Sequence, residues 1–415
     1  SPGGFSGEAT LLDLSATDGG VSPGPIAEIF SPATQLDLVA VTRRFYQTHD
    51  DAYEFLVVFT NFDFDLDGAF AFEVNIANDV TGIGVLSDQP VFDFARFFGS
   101  ARLQSLLNMG NLRRYPVDPE TVFLRGVDST LSILGQEAGH RFLAYVAWND
   151  PEGPARSTAL LGRDLQHWSF FFHSDASVVE GNRIRDNGNG TFTTTGAVEQ
   201  YSPFDQYLMG LRSPQEVGGT FLVKDPSPPS SAGRAPQLNV NFSGRRADVN
   251  LDQIIAANGP RVPSSVVAPK NFNFAFLLVV PRNTSASAEH VAQLDRIRQG
   301  WEAFFAKATS ARGTAGTSLV RGLRWTPSPL GLLAGTQAQA RVELLAATAA
   351  DVSLTIANSN PAAVGVPPRV VIPGGSRSAA VPVTALAPGR ASVSVTAPGF
   401  ETSVSVIEVL SSPAA

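Results

Sequence analysis

The stretch Leu134–Phe142 reads LGQEAGHRF, and it decides how the first part of this 415-residue chain is interpreted. It lies within residues 128–146, a segment that Asp128 or Ser129 can cap at its N-terminal end. Apolar residues recur there at helical spacing, at Leu131, Leu134, Ala138, Phe142 and Tyr145. Residues four apart lie on the same face of a helix. The sequence therefore predicts a helix with Gln136 and His140 on one face.

The same stretch matches the pattern H-E-x-x-H at every position except the first. Gln136 replaces the first histidine, and Glu137 and His140 stand where the pattern requires them. In metal sites of this kind, residues one turn apart bind zinc and the glutamate takes a proton from water. An amphipathic helix could also place these three residues on its wetter side by chance. Both interpretations remain open, because position 136 is a glutamine, and its side-chain carbonyl is a weaker metal ligand than the imidazole of histidine.

Two glycines within the predicted helix indicate close packing. Gly135 and Gly139 are one turn apart, and each costs about 1 kcal/mol relative to alanine inside a helix. We therefore expect another element of the fold, such as a substrate-binding edge strand, to approach the helix at these positions.

Segments on both sides of the helix resemble a group of exported bacterial proteins of the zinc-metallopeptidase type. They span residues 50–210 and read DDAYEFLVVFTNFDF, LLNMGNLRRYP, LGQEAGHRF, LLGRDLQHWSFFF, SVVEGNRIRDNGNGTF and YSPFDQYLMGL. The resemblance implies an α+β, zincin-like fold, a bound zinc ion and a polypeptide substrate. Gln136 is the departure from the pattern of that group.

A third metal ligand is expected outside the helix. The metzincin arrangement is excluded because position 146 is Val. The helix predicted from Ser202 carries Asp205 and Tyr207, which loosely resemble the aspzincin pattern. Asp205 would then bind the metal and Tyr207 would stabilise an oxyanion. Asp205 could instead cap its own helix together with Ser202, and both interpretations remain open.

The remaining histidines and one acid supply further candidates. His167 and His173 flank a predicted strand, Trp168–Phe172, and either could replace Gln136 as a ligand. Glu180 is a further acidic candidate, or the start of the turn-rich hairpin RDNGNGTF. His49 and His290 lie in polar segments where exposure is expected.

A possible calcium site lies in the run NFDFDLDG. Asp63, Asp65 and Asp67 supply oxygens on alternate residues, as in the first half of a calcium loop. The favoured interpretation is a β-hairpin between strands 53–60 and 69–76, turning at Asp67 and Gly68. Calcium could bind at that turn.

A helix is predicted at residues 100–109.

Composition restricts the classes of partner. The net charge of −8 and the lack of basic clusters argue against nucleic acid. No apolar run approaches the roughly 20 residues of a membrane-spanning helix. The chain has no cysteine, which fits a cytosolic and an exported protein equally. It starts at Ser1 without methionine, which fits either removal of a signal peptide or simple trimming of the chain. Its high content of Gly, Pro and Phe with few Lys favours an exported protein.

The last ninety residues differ from the rest. From Thr326 onward the only Phe, Trp or Tyr is Phe400. Short alternating segments separated by Pro and Gly predict strands at 339–345, 351–356, 369–372, 379–384, 390–396 and 402–409, which is typical of a β-sandwich. The run ALAPGRASVSVTAPGFETSVSVIEV resembles bacterial immunoglobulin-like domains.

The sequence thus predicts a zincin-like α+β domain at residues 1–325 and an all-β immunoglobulin-like sandwich at 326–415. The expected function is a secreted or cell-surface bacterial zinc endopeptidase, or a degenerate derivative. Its catalytic residues would be Glu137 and Tyr207, and its metal ligands His140, Asp205 and Gln136. The alternative is a non-catalytic surface, adhesion or extracellular assembly protein that binds a protein partner.

Overall fold

The structure is a computed structural model that describes residues 26–31, 36–47, 49, 51–66, 68–84, 90–281, 284, 286–317, 319, 322–344, 347–348, 350–398, 400 and 402–411. The chain divides into two compact units. One contains Tyr53–Thr317, and the other groups Ser318–Ala415 with Leu36–Ala52 and the residues up to Pro32. The N-terminal elements are a strand, β1 (Ile26–Ser31), and a helix, α1 (Leu38–Tyr46).

The unit Tyr53–Thr317 contains both strands and helices. In chain order they are β2 (Phe55–Thr60), β3 (Phe72–Asn75), β4 (Ala77–Asn78), β5 (Phe92–Asp93), β6 (Ser105–Asn111), α2 (Thr130–Gly139), β7 (Asn182–Asp186), β8 (Thr191–Ala197), α3 (Pro203–Leu208), β9 (Thr220–Ser227), β10 (Asn241–Val249), α4 (Leu251–Asn258), β11 (Asn271–Pro281), α5 (Ala288–Ala308) and β12 (Thr314–Gly316).

A mixed sheet forms the centre of this unit. Strand β2 pairs in parallel with β11 on one side and with β6 on the other. Strand β3 pairs antiparallel with the far side of β6, and β12 pairs in parallel with the start of β11. Every residue of β2 and β6 is buried. Such continuous burial is typical of parallel strands that are covered on both faces.

Two predictions for this sheet are wrong. The segment predicted as a helix at residues 100–109 contains most of β6, because a short, fully buried run does not reveal its period. The predicted hairpin between β2 and β3 is also absent, because β6 lies between these strands. The expected alternation nevertheless holds over the described residues, since Phe62 and Phe64 are half-buried, Leu66 is buried, and Asp63 and Asp65 are exposed.

Helix α2 starts as expected and ends earlier than expected. Ser129 is its N-cap, in a capping box with Ser132, and His140 is its C-cap. The helix does not continue to residue 146, because the N–H of Phe142 bonds to the carbonyl three residues back, at Gly139, and the N–H of Ala144 bonds outside the helix to the carbonyl of Gln166. Gln136 and Glu137 therefore lie in the last helical turn, and His140 lies directly at its end.

The glycines of α2 allow close packing, as expected, although side chains rather than an edge strand approach them. A Cβ atom at Gly135 would lie 3.0 Å from a ring carbon of Phe304 on α5. One at Gly139 would lie 3.0 Å from Val179 and 3.2 Å from Tyr201.

A second, antiparallel sheet has the order β7-β8-β10-β9. The predicted hairpin RDNGNGTF connects β7 to β8, and Asn187 N–H donates to the carbonyl of Thr191. The strand predicted at Trp168–Phe172 is wrong, since turns and isolated bridges occupy this segment. The helices predicted from Ser202 and Ser287 are confirmed as α3 and α5, each with that serine as its N-cap.

The C-terminal residues form a two-sheet β-sandwich. Its strands are β13 (Leu323–Thr326), β14 (Leu330–Leu333), β15 (Gln337–Leu344), β16 (Val352–Asn358), β17 (Val364–Gly365), β18 (Arg369–Ile372), β19 (Ser378–Ala385), β20 (Gly389–Thr396) and β21 (Ser403–Leu410). One sheet has the order β13-β15-β19-β17, and the other has the order β14-β21-β20-β16-β18. All six predicted strands are present. The compact units change at Thr317, and the boundary predicted after residue 325 falls inside β13.

Candidate metal and acid–base site

Two histidines from separate parts of the chain meet at the end of α2. The rings of His140 and His167 are 4.8 Å apart between centroids and perpendicular. Nδ1 of His140 lies 3.0 Å from the carbonyl of Leu143, and Nδ1 of His167 lies 2.9 Å from that of Arg163. A carbonyl only accepts, so both Nδ1 atoms carry the hydrogen. Each Nε2 therefore keeps a lone pair that can bind a metal.

Gln136 and Glu137 complete what we call the α2 cluster, which consists of Gln136, Glu137, His140 and His167. The amide nitrogen of Gln136 is 3.4 Å from Nε2 of His167 and 3.5 Å from Oε1 of Glu137. The four side chains are all buried, with exposed fractions of 8, 3, 7 and 5 %. The structure therefore brings together three residues of the predicted pattern and the histidine that was a candidate for the missing ligand.

Burial sets the protonation of the cluster. It raises the pKa of Glu137 to about 8, with a further contribution from the carboxylate of Glu73. Burial and the neighbouring His167 lower the pKa of His140 to about 3, and burial also lowers the pKa of His167. Both imidazoles are thus neutral at neutral pH, which is the form that binds metals.

The turn that contains His167 also contains Arg163, which takes part in a network of ion pairs around Glu180. Glu180 accepts hydrogen bonds from Nε of Arg163 at 3.1 Å and from Nη1 of Arg125 at 2.5 Å. Burial would raise the pKa of Glu180, but hydrogen bonds from Arg163, the nearby His167 and Arg125 hold it at about 2. Nη2 of Arg163 also lies 2.9 Å from Nε2 of His167. Glu180, a candidate ligand, is therefore an ionised partner of two arginines.

Asp205 and Tyr207 lie among other partners. Asp205 is fully buried; it forms a capping box with Ser202 and accepts the indole N–H of Trp168 at 2.8 Å. Burial raises its pKa to about 6. The hydroxyl of Tyr207 accepts the backbone N–H of Arg261 at 3.0 Å. In the described part of the chain, neither side chain contacts the α2 cluster. The structure therefore supports the capping interpretation of Asp205.

The other histidines have separate environments. His173 stacks on Phe221, and its Nδ1 accepts the backbone N–H of Ile184. His49 is buried and stacked on Phe45, so the prediction that it is exposed is wrong. His290 is half-buried and lies 3.4 Å from Nε of Arg113.

Glu73 on β3 is a site residue that was not anticipated. Ser105 donates to its carboxylate at 2.6 Å, and burial raises its pKa to about 8. Its charge also raises the pKa of Glu137. The only signal in the sequence is one acid within the apolar strand pattern AFAFEVNI.

The possible calcium site is described only in part. Asp63 accepts a hydrogen bond from Asn111 at 2.7 Å, and Asp67 lies outside the described residues. Among the residues that the structure describes, no group of three or more His, Cys, Asp or Glu side chains is placed to hold a metal ion. The α2 cluster would thus need the amide of Gln136 as its third ligand.

Comparisons with known proteins assign no relative to the whole chain. No family model and no curated protein matches it. Domains 4 and 5 of the S-layer protein SbsC align at 14% identity over 21% of this chain and 50% of that chain, with a TM-score of 0.18. The MSP family member WR4 of C. elegans aligns at 10% identity over 22% and 97%, with a TM-score of 0.18.

A glycosyl hydrolase family 2 member from Bacteroides cellulosilyticus aligns at 12% identity over 24% of this chain and 15% of that chain, with a TM-score of 0.20. Similarities at this level assign neither a fold to the unit Tyr53–Thr317 nor an activity. In the described residues, no helix is both long and apolar enough to cross a membrane.

Proposed function

We propose that the unit Tyr53–Thr317 is a zincin-type zinc peptidase that acts on polypeptides, or a degenerate derivative of one. One observation carries this proposal. Nδ1 of His140 and Nδ1 of His167 both carry the hydrogen, so each ring presents a lone pair at Nε2, and the two rings meet beside Gln136 and Glu137. In a catalytic zinc site, neutral imidazoles bind the metal and a nearby carboxyl group serves as the general base, and these groups lie together here.

The chemistry of the donor set supports zinc and suggests which atoms would bind it. Nε2 of His140, Nε2 of His167 and the amide oxygen of Gln136 would hold the ion. Both imidazoles donate Nδ1–H to a main-chain carbonyl, the kind of support that orients metal-binding histidines. When bound, zinc lowers the pKa of water and polarises a substrate carbonyl. This assignment puts His167 in the place first proposed for Asp205.

Glu137 would serve as the general base and then as the general acid. Its carboxylate is buried next to the ligands and 3.5 Å from the Gln136 amide. Its pKa of about 8 lies near the working range of an acid–base group at neutral pH. Glu137 would take a proton from the attacking water and return it to the leaving amine. Tyr207 is not given a role, because its hydroxyl binds Arg261.

A sheet edge that has no further paired strand among the described residues supports a polypeptide as the substrate. Strand β3 ends the central sheet and is antiparallel to β6, its neighbour in the described part of the sheet. An extended peptide could add to such an edge through main-chain hydrogen bonds. Glu73 lies on β3, and its charge contributes to the raised pKa of Glu137, which supports an edge close to the α2 cluster.

The C-terminal sandwich supports an extracellular location. We propose that it is an immunoglobulin-like domain of the kind found in bacterial surface and secreted proteins. Its nine strands form two sheets around a core of aliphatic side chains such as Val342, Val381 and Val393. Calcium binding near Asp63 and Asp65 remains a separate proposal.

Gln136 favours a second function, in which the scaffold binds an extracellular partner without catalysis. An amide replaces the first histidine of the pattern, and Arg163 donates to the lone pair of His167 that a metal would need. In this alternative the α2 cluster would be a buried polar network, and the chain would serve in adhesion or assembly.

Metal content tests these functions directly. We expect wild-type protein to bind one zinc ion per chain, measured by mass spectrometry under non-denaturing conditions. His140→Ala and His167→Ala should lose the metal. His173→Ala is the matched control and should keep it, because His173 is a half-buried histidine of the same segment with separate partners. Absence of zinc from the wild type, or equal loss in all three variants, would favour the non-catalytic function.

A further inference from the structure

Arg163 occupies the position on His167 that a metal ion would take. Nδ1 of His167 donates to the carbonyl of Arg163, so Nε2 is the accepting atom of the ring. Nη2 of Arg163 lies 2.9 Å from that Nε2. The guanidinium is always protonated and can only donate. The lone pair of Nε2 can therefore serve the arginine or a metal, but not both at once.

We propose that Arg163 is a displaceable gate, whose side chain closes the metal site and must withdraw before a divalent cation such as zinc can bind. This inference rests on the proposed function, because it assumes that His167 is a ligand. It adds a regulatory role for a side chain that itself binds no metal.

The surroundings of Arg163 allow the withdrawal. Its side chain is 45% exposed, although its partner Glu180 is buried. It lines an open cavity of about 890 Å³ together with Asp164 and Asp225. Asp164 already accepts from Nη1 of Arg163 at 3.2 Å and can keep this contact nearer the surface. The turn is held by backbone hydrogen bonds, from Gly162 N–H to the carbonyl of His167 at 2.8 Å and from Gln166 N–H to that of Arg163 at 3.1 Å, and these do not depend on the Arg163 side chain.

Glu180 would not be left as an isolated buried charge when Arg163 withdraws. Arg125 binds the same carboxylate at 2.5 Å and is itself paired with Asp128. Arg125 has no contact with His167 among the described residues. Both arginines thus form ion pairs with Glu180, but only Arg163 also contacts Nε2 of His167, where a metal would bind.

This difference provides a matched control. We would measure the zinc dissociation constant of the full chain by competition with a chromophoric chelator, for wild type, Arg163→Met and Arg125→Met. Each variant removes one positive charge beside Glu180, and each keeps the backbone carbonyls. We expect Arg163→Met to bind zinc at least about tenfold more tightly than Arg125→Met, on the scale of a hydrogen bond to a charged group.

Stopped-flow binding provides a second measurement. If Arg163 must withdraw first, the observed association rate of the wild type reaches a plateau as zinc concentration rises, and that of Arg163→Met stays linear. Equal affinities of the two variants, with linear rates in the wild type, would overturn the gate and leave the metal site standing. A complete lack of zinc binding in all three proteins would overturn both proposals.

Discussion

The indole nitrogen of Trp168 donates to the carboxylate of Asp205 at 2.8 Å, and both side chains are buried. Trp168 directly follows His167 in the chain, and Asp205 lies in the first turn of α3. The bond therefore links the segment that carries the second histidine to a separate helix. Asp205 contributes to the site by positioning a neighbour of His167.

Replacement of Asp205 should destabilise the fold. In Asp205→Asn the amide can accept from Trp168 with its oxygen, but its nitrogen would face the backbone N–H of Ser202, which now donates to the carboxylate at 2.7 Å. We expect a loss of about 1–3 kcal/mol in the free energy of unfolding, the cost of a buried unpaired donor. Urea denaturation measures it. Asp248→Asn, at an exposed position, should change the stability little, and equal effects would contradict the role of Asp205.

Restoring the missing histidine should strengthen the metal site. Gln136→His replaces a weak donor by imidazole. We expect zinc to bind more than about tenfold more tightly, the scale on which even supporting hydrogen bonds alter metal affinity. In that background Glu137→Gln should keep the metal and remove any activity on an unfolded protein substrate. If Gln136→His leaves zinc affinity unchanged, the proposed ligand set is wrong.

Glu73 should make the fold less stable as pH rises. Burial raises its pKa from the ordinary 4.5 to about 8, so the folded state holds the proton more tightly than the unfolded state. The stability from this group is fully present below pH 4.5 and is lost as pH rises through 8. Glu73→Gln stays neutral and can still accept from Ser105. Its unfolding free energy should therefore fall less than that of wild type between pH 5 and 8.

The control for this pH dependence is Glu199→Gln, which changes a carboxylate that is 48% exposed and paired with Arg183. Thermal or urea unfolding across the same pH range should show the wild-type slope in this variant. A wild-type slope in Glu73→Gln as well would mean that Glu73 is not the titrating group.

Gly139 should not tolerate a side chain. In Gly139→Ala the new Cβ would lie 3.0 Å from Val179 and 3.2 Å from Tyr201. Overpacking of this kind costs about 1–3 kcal/mol and exceeds the gain in helix propensity of about 1 kcal/mol. Gly300→Ala on α5 is the control, because its Cβ would approach its nearest neighbour, a side-chain methyl of Leu131, less closely, at 3.3 Å. The melting temperature should fall for Gly139→Ala and change little for Gly300→Ala.

The unit Tyr53–Thr317 should fold without the sandwich. It has its own core, since the strands β2, β6 and β11 are buried along nearly their whole length. Expressed alone, it should be monodisperse by gel filtration and unfold in one cooperative transition. Aggregation of this unit, with the full chain well behaved, would indicate that residues outside Tyr53–Thr317 are needed to cover its surface.

Local patterns in the sequence predicted those features that depend only on neighbouring residues. The strands of the sandwich could be predicted from the alternation of apolar residues and from the Pro and Gly breaks. The position of Gln136 one helical turn before His140 could be predicted from helical spacing. The pairing of β6 between β2 and β3 could not be predicted, because a buried run such as SLLNMGN fits a helix or a strand.

The choice between His167 and His173 also depended on tertiary structure. On a strand both would lie on one face, but turns in this segment send them to different partners, so only His167 reaches His140. The contact of Arg163 with His167 depends on the same turn, which contains two consecutive non-glycine residues with positive φ. Nothing in the local pattern of the sequence indicates that conformation.

Both imidazoles of the α2 cluster are oriented by main-chain carbonyls, which every amino acid supplies. Substitutions at Leu143 or Arg163 therefore keep the accepting carbonyl in place as long as the backbone conformation is unchanged. The codons for glutamine and histidine differ only in their third base. A chain with Gln136 thus stands one nucleotide change away from the full H-E-x-x-H pattern, so that gain or loss of the proposed metal site would need only a single base change.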